Sequence, residues 1–274
     1  MLHIATVHFY SDRWLEPQLA YLARNLNRPY CVWATLEGID ARPYADRVRE
    51  VVPAGLRHAE NLNGLAGAIA READPEDLLV FLDGDAFPVA PLDSFLDDTL
   101  GRYPLAAVRR DENHGDRQPH PCFAATTVGF WTEIGGDWHR GYRWRNASGS
   151  STSDVGGNLL GILERRGIEW RPLLRTNRRD LRPPWFAVYE DLVYHHGAGF
   201  RPPISRAETF AAGPRFAALL ALTRRLPPGV HRTGHRAFGR LVERWMSTTR
   251  AETELLSDEI FARLRTDPSF WLDV

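Results

Sequence analysis

Residues 78–89 read LLVFLDGDAFPV, five apolar side chains in succession followed by two aspartates separated by one glycine. A run of that length, preceded by the turn-like ADPED and followed by Phe-Pro, suits a strand covered on both faces within a parallel sheet. Asp83 and Asp85 then stand at the carboxyl end of that strand. A buried carboxylate without a partner costs several kcal/mol, roughly, through desolvation. The carboxyl ends of strands are also where open α/β sheets bind ligands. The pair therefore demands a cation, a donor or a ligand.

The flanking sequence supplies the rest of the sheet. HIATVHF (3–9) reads as a strand, SDRWLEPQLAYLARNL as a helix capped by Ser11 or Asp12, and YCVWATL (30–36) as a second strand. REVVP gives a short third strand, ENLNGLAGAIAREA a helix, LLVFLD the fourth strand and APLDSFLDDTLG a short helix behind it. PLAAVRR, FAATTVGFW, IEWRPL and DLVYHH read as further strands, and DVGGNLLGILERRG as a helix ended by Gly167. This alternation predicts an α/β domain over 1–204, a Rossmann-type, mostly parallel sheet with helices on both faces. Two polar, turn-rich stretches interrupt it, 111–121 and 137–153. The second interleaves Arg140, Arg143 and Arg145 with Tyr142 and Trp144 ahead of a Gly/Ser tail, the composition of a mobile lid over a sugar or flat acceptor, or of a solvated surface loop with aromatic feet in the core. From Ser205 onward the spacing predicts three helices, a C-terminal helical appendage over 205–274. Its apolar stripe around Phe216–Leu226 is wider than one contact face needs. Intrachain packing or a homodimer would cover it.

With 274 residues, 43% hydrophobic and 25% charged, the chain has material for a full core. A net charge of -1 argues against bulk nucleic-acid binding, which needs a basic footprint. All 34 basic residues are arginine, so neither a Schiff-base lysine nor a P-loop lysine is available. Cys31 and Cys122, far apart and without zinc-ligand spacing, support neither a disulfide framework nor a thiolate metal site. With no leader-like stretch and no apolar segment of membrane-spanning length, the expectation is a cytoplasmic protein without an integral membrane segment.

Three constellations carry chemistry. In an extended segment, side chains two apart point the same way, so Asp83 and Asp85 can face one divalent cation, with Gly84 leaving room for close approach. Oxygen ligands suit Mg2+ or Mn2+, which would bridge them to substrate phosphates. The segment VYHHGAGFRPP (193–203) places His195 and His196 at a strand end, followed by glycines and by Arg201, which is suited to a phosphate. Neighbours in a strand point to opposite faces, so only one of the two histidines need be a ligand. Asp154 precedes a helix, either as a plain cap or as a functional acid. His58, Asn61 and Asn63 lie between the third strand and the helix leading to β-strand 78–83, where capping is the plainer role.

Strand-D-x-D in the first third, a later helix opening with an acid, and a late His-Gly-basic segment together resemble the GT-A class of nucleotide-sugar glycosyltransferases. Residues 196–202, HGAGFRP, look like the H-x-x-G-x-x-K-P segment of glycogenin-like members, one residue shorter and with Arg for Lys. The resemblance implies a GT-A-like fold over about residues 1–204 and a nucleoside diphosphate sugar as donor to an unidentified small-molecule or glycan acceptor. It implies a metal held by Asp83, Asp85 and either His195 or His196, and a diphosphate held by Arg201. Asp83 would also meet the donor ribose, and His58 and Asn63 the nucleotide. Asp154 would be the base of an inverting reaction or would position sugar hydroxyls in a retaining one. Two other functions fit parts of the pattern: a haloacid-dehalogenase-like phosphatase, with Asp83 as nucleophile, and a non-catalytic sugar-nucleotide-binding scaffold. The phosphatase lacks the Thr or Val expected where Ala86 stands and a suitable lysine.

Overall fold

The apolar run is a strand in the computed structural model, which describes residues 1–55, 57–113, 115–147, 149, 151–179, 185–197, 199 and 250–274. This strand, β4 (Leu78–Asp83), lies in a seven-stranded sheet with β1 (Leu2–Phe9), β2 (Tyr30–Glu37), β3 (Val48–Glu50), β6 (Leu105–Val108), β7 (His120–Thr127) and β10 (Arg171–Leu173). The order is β10-β6-β7-β4-β1-β2-β3. Every pairing is parallel except the two made by β7, which runs antiparallel between β4 and β6. The expected mostly parallel sheet is thus present, with one reversed strand.

Side chains of β4 alternate between two cores, which is why its sequence is apolar without interruption. Val80 and Leu82 pack with Leu15, Leu19 and Leu22 of α1 (Leu15–Asn25) and Leu96 of α3 (Asp93–Leu100). Leu79 and Phe81 pack on the other face against α2 (His58–Ala70), α4 (Val128–Ile134) and α5 (Gly157–Arg166). Each fully buried Leu or Phe contributes about 1.5–3 kcal/mol.

A second, three-stranded antiparallel sheet, β11-β12-β5, forms at the carboxyl end of β4. It consists of β5 (Ala86–Pro88), β11 (Ala187–Tyr189) and β12 (Val193–His195), and its register sets His195 opposite Ala86. The strand DLVYHH therefore folds back onto the residues that follow Asp85.

Several local expectations change. FAATTVGFW is half strand and half helix, because the Thr127 hydroxyl accepts from the Phe130 amide (3.1 Å) and starts α4. Helix α1 takes neither expected cap: its N-cap residue is Trp14, while the Ser11 hydroxyl accepts from the Arg13 amide and the Asp12 side chain accepts from Tyr44 Oη. The N-cap of α5 is Gly156, with φ +86°, where a Cβ would lie 2.1 Å from the Pro119 carbonyl oxygen. Asp154, the expected cap, does not fill that position. Within the expected lid, a short hairpin pairs β8 (Trp144–Arg145) with β9 (Ser151–Thr152), and Trp144 is buried.

The chain divides into two compact units, one of residues 1–200 with 267–274 and one of residues 201–266. The final eight residues, expected in the appendage, thus belong with the sheets. Phe270 is fully buried there, its ring 4.8 Å from Tyr194 and 6.1 Å from Tyr21. In the second unit residues 250–264 are helical, and the apolar stripe 216–226 lies outside the described residues. Among the described residues no helix is long and apolar enough to cross a membrane.

Candidate metal centre

β4 and the turn that follows it deliver Asp83 and Asp85 to the edge where the two sheets meet, and β12 delivers His195 to the same place. One ligand atom from each of the three lies within 4.8 Å of the other two. His195 Nε2 is 3.4 Å from Asp83 Oδ2 and 3.5 Å from Asp85 Oδ1. Two carboxylates and one imidazole form an oxygen-rich donor set suited to Mg2+ or Mn2+.

The electrostatics favour charge at this point. Burial works against ionised Asp83, but His195, His58 and Arg110 outweigh it and hold its carboxyl below the ordinary value. Asp85 is likewise lowered, His195 overcoming the burial penalty. Burial opposes the charged form of His195, yet Cys122, Asp85 and Asp83 push its pKa well up. A histidine ligates as the neutral ring, so a divalent cation here would take the place of the proton that the two carboxylates hold on His195. Asp83 Oδ1 tests the fit separately. It is buried and 3.0 Å from His58 Nε2, but the alignment makes no hydrogen bond, and among the described residues neither atom has a hydrogen-bond partner. Such an orphaned carboxylate oxygen suits a cation ligand.

The structure separates the two adjacent histidines. His196 points to the opposite side of β12, fully buried, with its ring 4.5 Å from Trp14 and 4.8 Å from Phe186. A 2.8 Å hydrogen bond joins its Nδ1 to Tyr194 Oη, and its amide donates to the Asp85 carbonyl (3.0 Å). It is an aromatic-caged core residue rather than a member of the acidic cluster.

The glycines after His196 approach an anion, but that anion is Asp85. The Gly199 amide donates to Asp85 Oδ2 (2.8 Å), and Trp14 Nε1 donates to the Gly199 carbonyl (3.1 Å). A Cβ on Gly199 would sit 2.5 Å from Asp85 Cβ and 2.6 Å from Trp14 Nε1, so only glycine fits without displacement. Arg201 lies outside the described residues.

Of the other expected site residues, His58 reaches the cluster as a neighbour of Asp83. Asn63 does not: its carbonyl oxygen accepts from the Trp138 amide (3.0 Å) and its amide nitrogen donates to Asp137 Oδ1 (2.7 Å). It braces the loop at 137–138. Asn61 is likewise occupied, accepting from the amides of Ala54 and Gly55. Asp154 is bound by two guanidiniums, Arg140 Nη2 at 2.9 Å and Arg110 Nη2 at 3.7 Å. Arg110, itself buried, also faces Asp116 (3.4 Å) and acts electrostatically on Asp83, so it links the Asp154 region to the Asp83–Asp85–His195 cluster.

Sequence reasoning passed over three further residues. Gln18, buried on α1, donates from one amide nitrogen to the carbonyls of Asp83 (2.9 Å) and Ala86 (2.8 Å), clasping the turn that carries both aspartates. Those two acceptors fix the amide orientation, so Gln18 Oε1 must accept from His8 Nε2 (3.1 Å). The available signal was its position, at helical spacing from Leu15 and Leu22 on the core-facing stripe. Arg110 and His120 were passed over because the first borders, and the second lies within, the turn-rich stretch 111–121, which carries no periodicity.

No family model matches the chain, and no curated protein matches it. Solved structures do. The galactosyltransferase LgtC, in complex with donor and acceptor sugar analogues, is similar at 13% identity and a TM-score of 0.42 over 83% of this chain and 98% of that one. Glucosyl-3-phosphoglycerate synthase from Mycobacterium tuberculosis, in complex with Mg2+ and uridine diphosphate, is similar at 16% identity and a TM-score of 0.43 over 67% and 72%. The glycosyltransferase GlyE of Streptococcus pneumoniae TIGR4 is similar at 15% identity and a TM-score of 0.38 over 48% of this chain, which spans about a third (35%) of the GlyE chain. Likeness at this level assigns no activity, which has to come from the residues.

Proposed function

We propose that this protein is a metal-dependent glycosyltransferase that moves a sugar from a nucleoside diphosphate sugar to an acceptor hydroxyl. The observation that carries the reading is the convergence of Asp83, Asp85 and His195 at the carboxyl end of β4. These three residues would hold a divalent cation, Mg2+ or Mn2+, whose chemistry is to neutralise the diphosphate as it leaves.

The chain's own groups support that role. Gln18 holds the turn between Asp83 and Ala86, and the Gly199 amide fixes one Asp85 oxygen, so the carboxylates are aimed before a ligand arrives. Arg201, two residues beyond Gly199, is the natural second cation for the diphosphate. Tyr10, just beyond β1, is 75% exposed and holds a left-handed backbone (φ +54°), a conformation costly for a bulky residue. It offers a flat ring at the ligand-binding edge for a base. Asp154, with both oxygens engaged by guanidiniums, suits the positioning of sugar hydroxyls better than the removal of a proton. The phosphatase reading gains nothing here, because Asp83 faces an imidazole on each oxygen rather than an open space for attack.

The test is release of nucleoside diphosphate from a panel of nucleotide sugars in the presence of Mg2+ or Mn2+. The reading predicts metal-dependent turnover of at least one donor that Asp85→Asn removes. Turnover of a phosphomonoester instead, with no nucleotide sugar consumed, contradicts it.

A further inference from the structure

His120 opens β7 beside the metal-ligand cluster, its ring centroid 5.8 Å from that of His195. It is buried, and neither the sequence pattern nor the reading above gives it a role. Its Nδ1 accepts a hydrogen bond from the backbone amide of Cys122 at 3.1 Å. A backbone N–H can only donate, so Nδ1 carries the lone pair and the neutral ring must carry its proton on Nε2. The local sequence enforces this. Pro121 biases His120 toward extended backbone and offers no amide of its own, so the first N–H within reach of the imidazole is that of Cys122. Among the described residues His120 has no other hydrogen bond, which leaves the Nε2 proton without a protein acceptor.

A neutral imidazole locked in one tautomer does not exchange protons with a substrate; it offers one N–H in a fixed place. We propose that His120 is a substrate-contacting residue whose Nε2–H donates to an oxygen of the nucleotide sugar held at Asp83, Asp85 and His195. The inference rests on the glycosyltransferase reading. The oxygen belongs either to the diphosphate or to the transferred sugar, and binding measurements separate the two.

Two experiments test it. In the wild-type protein, 15N chemical shifts of the imidazole report the tautomer without any ligand; Nε2–H is expected, and an Nδ1–H tautomer overturns the proposal. For binding, UDP, GDP, ADP, CDP and dTDP are each titrated with Mg2+, and the tightest is compared with its glucose conjugate. His120→Phe is expected to weaken binding about ten-fold, the scale of one lost hydrogen bond at a desolvated site, and His120→Gln, which keeps an N–H near the Nε2 position, to recover most of it. Loss with both ligands assigns the contact to the diphosphate, and loss with the conjugate alone assigns it to the sugar. Unchanged binding of both by His120→Phe overturns this proposal while leaving the metal site standing. Absence of any Mg2+-dependent binding by the wild type overturns the parent reading and this one with it.

Discussion

At the scale of single residues, the site is organised by hydrogen bonds that leave little freedom for substitution. Gly199 has no space for a methyl group between Asp85 and Trp14, and its amide holds one Asp85 oxygen. Gly199→Ala should therefore weaken metal-dependent nucleotide binding by about ten-fold, the scale of one charge-assisted hydrogen bond, with a smaller effect on thermal unfolding. Isothermal titration with Mn2+ and nucleotide checks it, and wild-type affinity would show the contact to be dispensable. His8 gives a pH dependence. Burial lowers its pKa to about 4 against the raising effects of Gln18, Asp85 and Asp12. A folded value below the unfolded 6.5 means that its share of stability is complete above about pH 6.5 and is lost as pH falls toward 4, up to roughly 3 kcal/mol. Urea unfolding at pH 7 and pH 5, a range in which most carboxylates stay ionised, should show a smaller drop in His8→Asn than in the wild type. An equal drop would remove His8 from the account. The aspartate pair and the histidine pair were legible as sequence because charge at the end of an apolar strand has few structural uses. The choice between His195 and His196 was not, since it depends on the phase of β12, which only its register with β5 sets.

Among the elements, the parallel core strands were readable because uninterrupted apolar runs have few alternatives. The reversed strand β7 was not readable past Thr126, where FAATTVGFW keeps β-like composition while the Thr127 cap turns the chain into α4. The hairpin in 137–153 was missed for a different reason: two residues per strand carry no measurable alternation, and its anchors are the burial of Trp144 and the hydrogen bonds of the Arg143 guanidinium to Ser151, which no local pattern announces. The C-terminal turn is an element whose importance no local pattern announces. Phe270 packs against Tyr194, and the Val274 carbonyl accepts from the Arg179 amide (3.0 Å), so the chain's last residues close over the sheet that carries His195. Phe270→Ala should cost about 3–5 kcal/mol, the range for emptying a buried aromatic site. A shift of less than about 1 kcal/mol in urea unfolding would mean that the turn is peripheral.

For the whole molecule, the α/β class followed from the alternation of elements, whereas the division into units did not, because residues 267–274 return to the sheets from the far end of the sequence. This bears on assembly. The sequence leaves a homodimer or intrachain packing to cover the wide apolar stripe in 216–226, and sedimentation of the intact chain separates the two: a dimer mass supports the homodimer and a monomer mass at micromolar concentration rejects it. The intact chain is needed, since truncation after Pro203 would also remove Phe270 from the sheet unit. The central claim, that Asp83, Asp85 and His195 form one divalent-cation site, is tested most directly by electron paramagnetic resonance of Mn2+ titrated into the intact protein. The account predicts one bound Mn2+ per chain that is lost in both Asp85→Asn and His195→Ala while each variant keeps wild-type circular dichroism. Undiminished Mn2+ binding in folded Asp85→Asn, or none in the wild type, would contradict it.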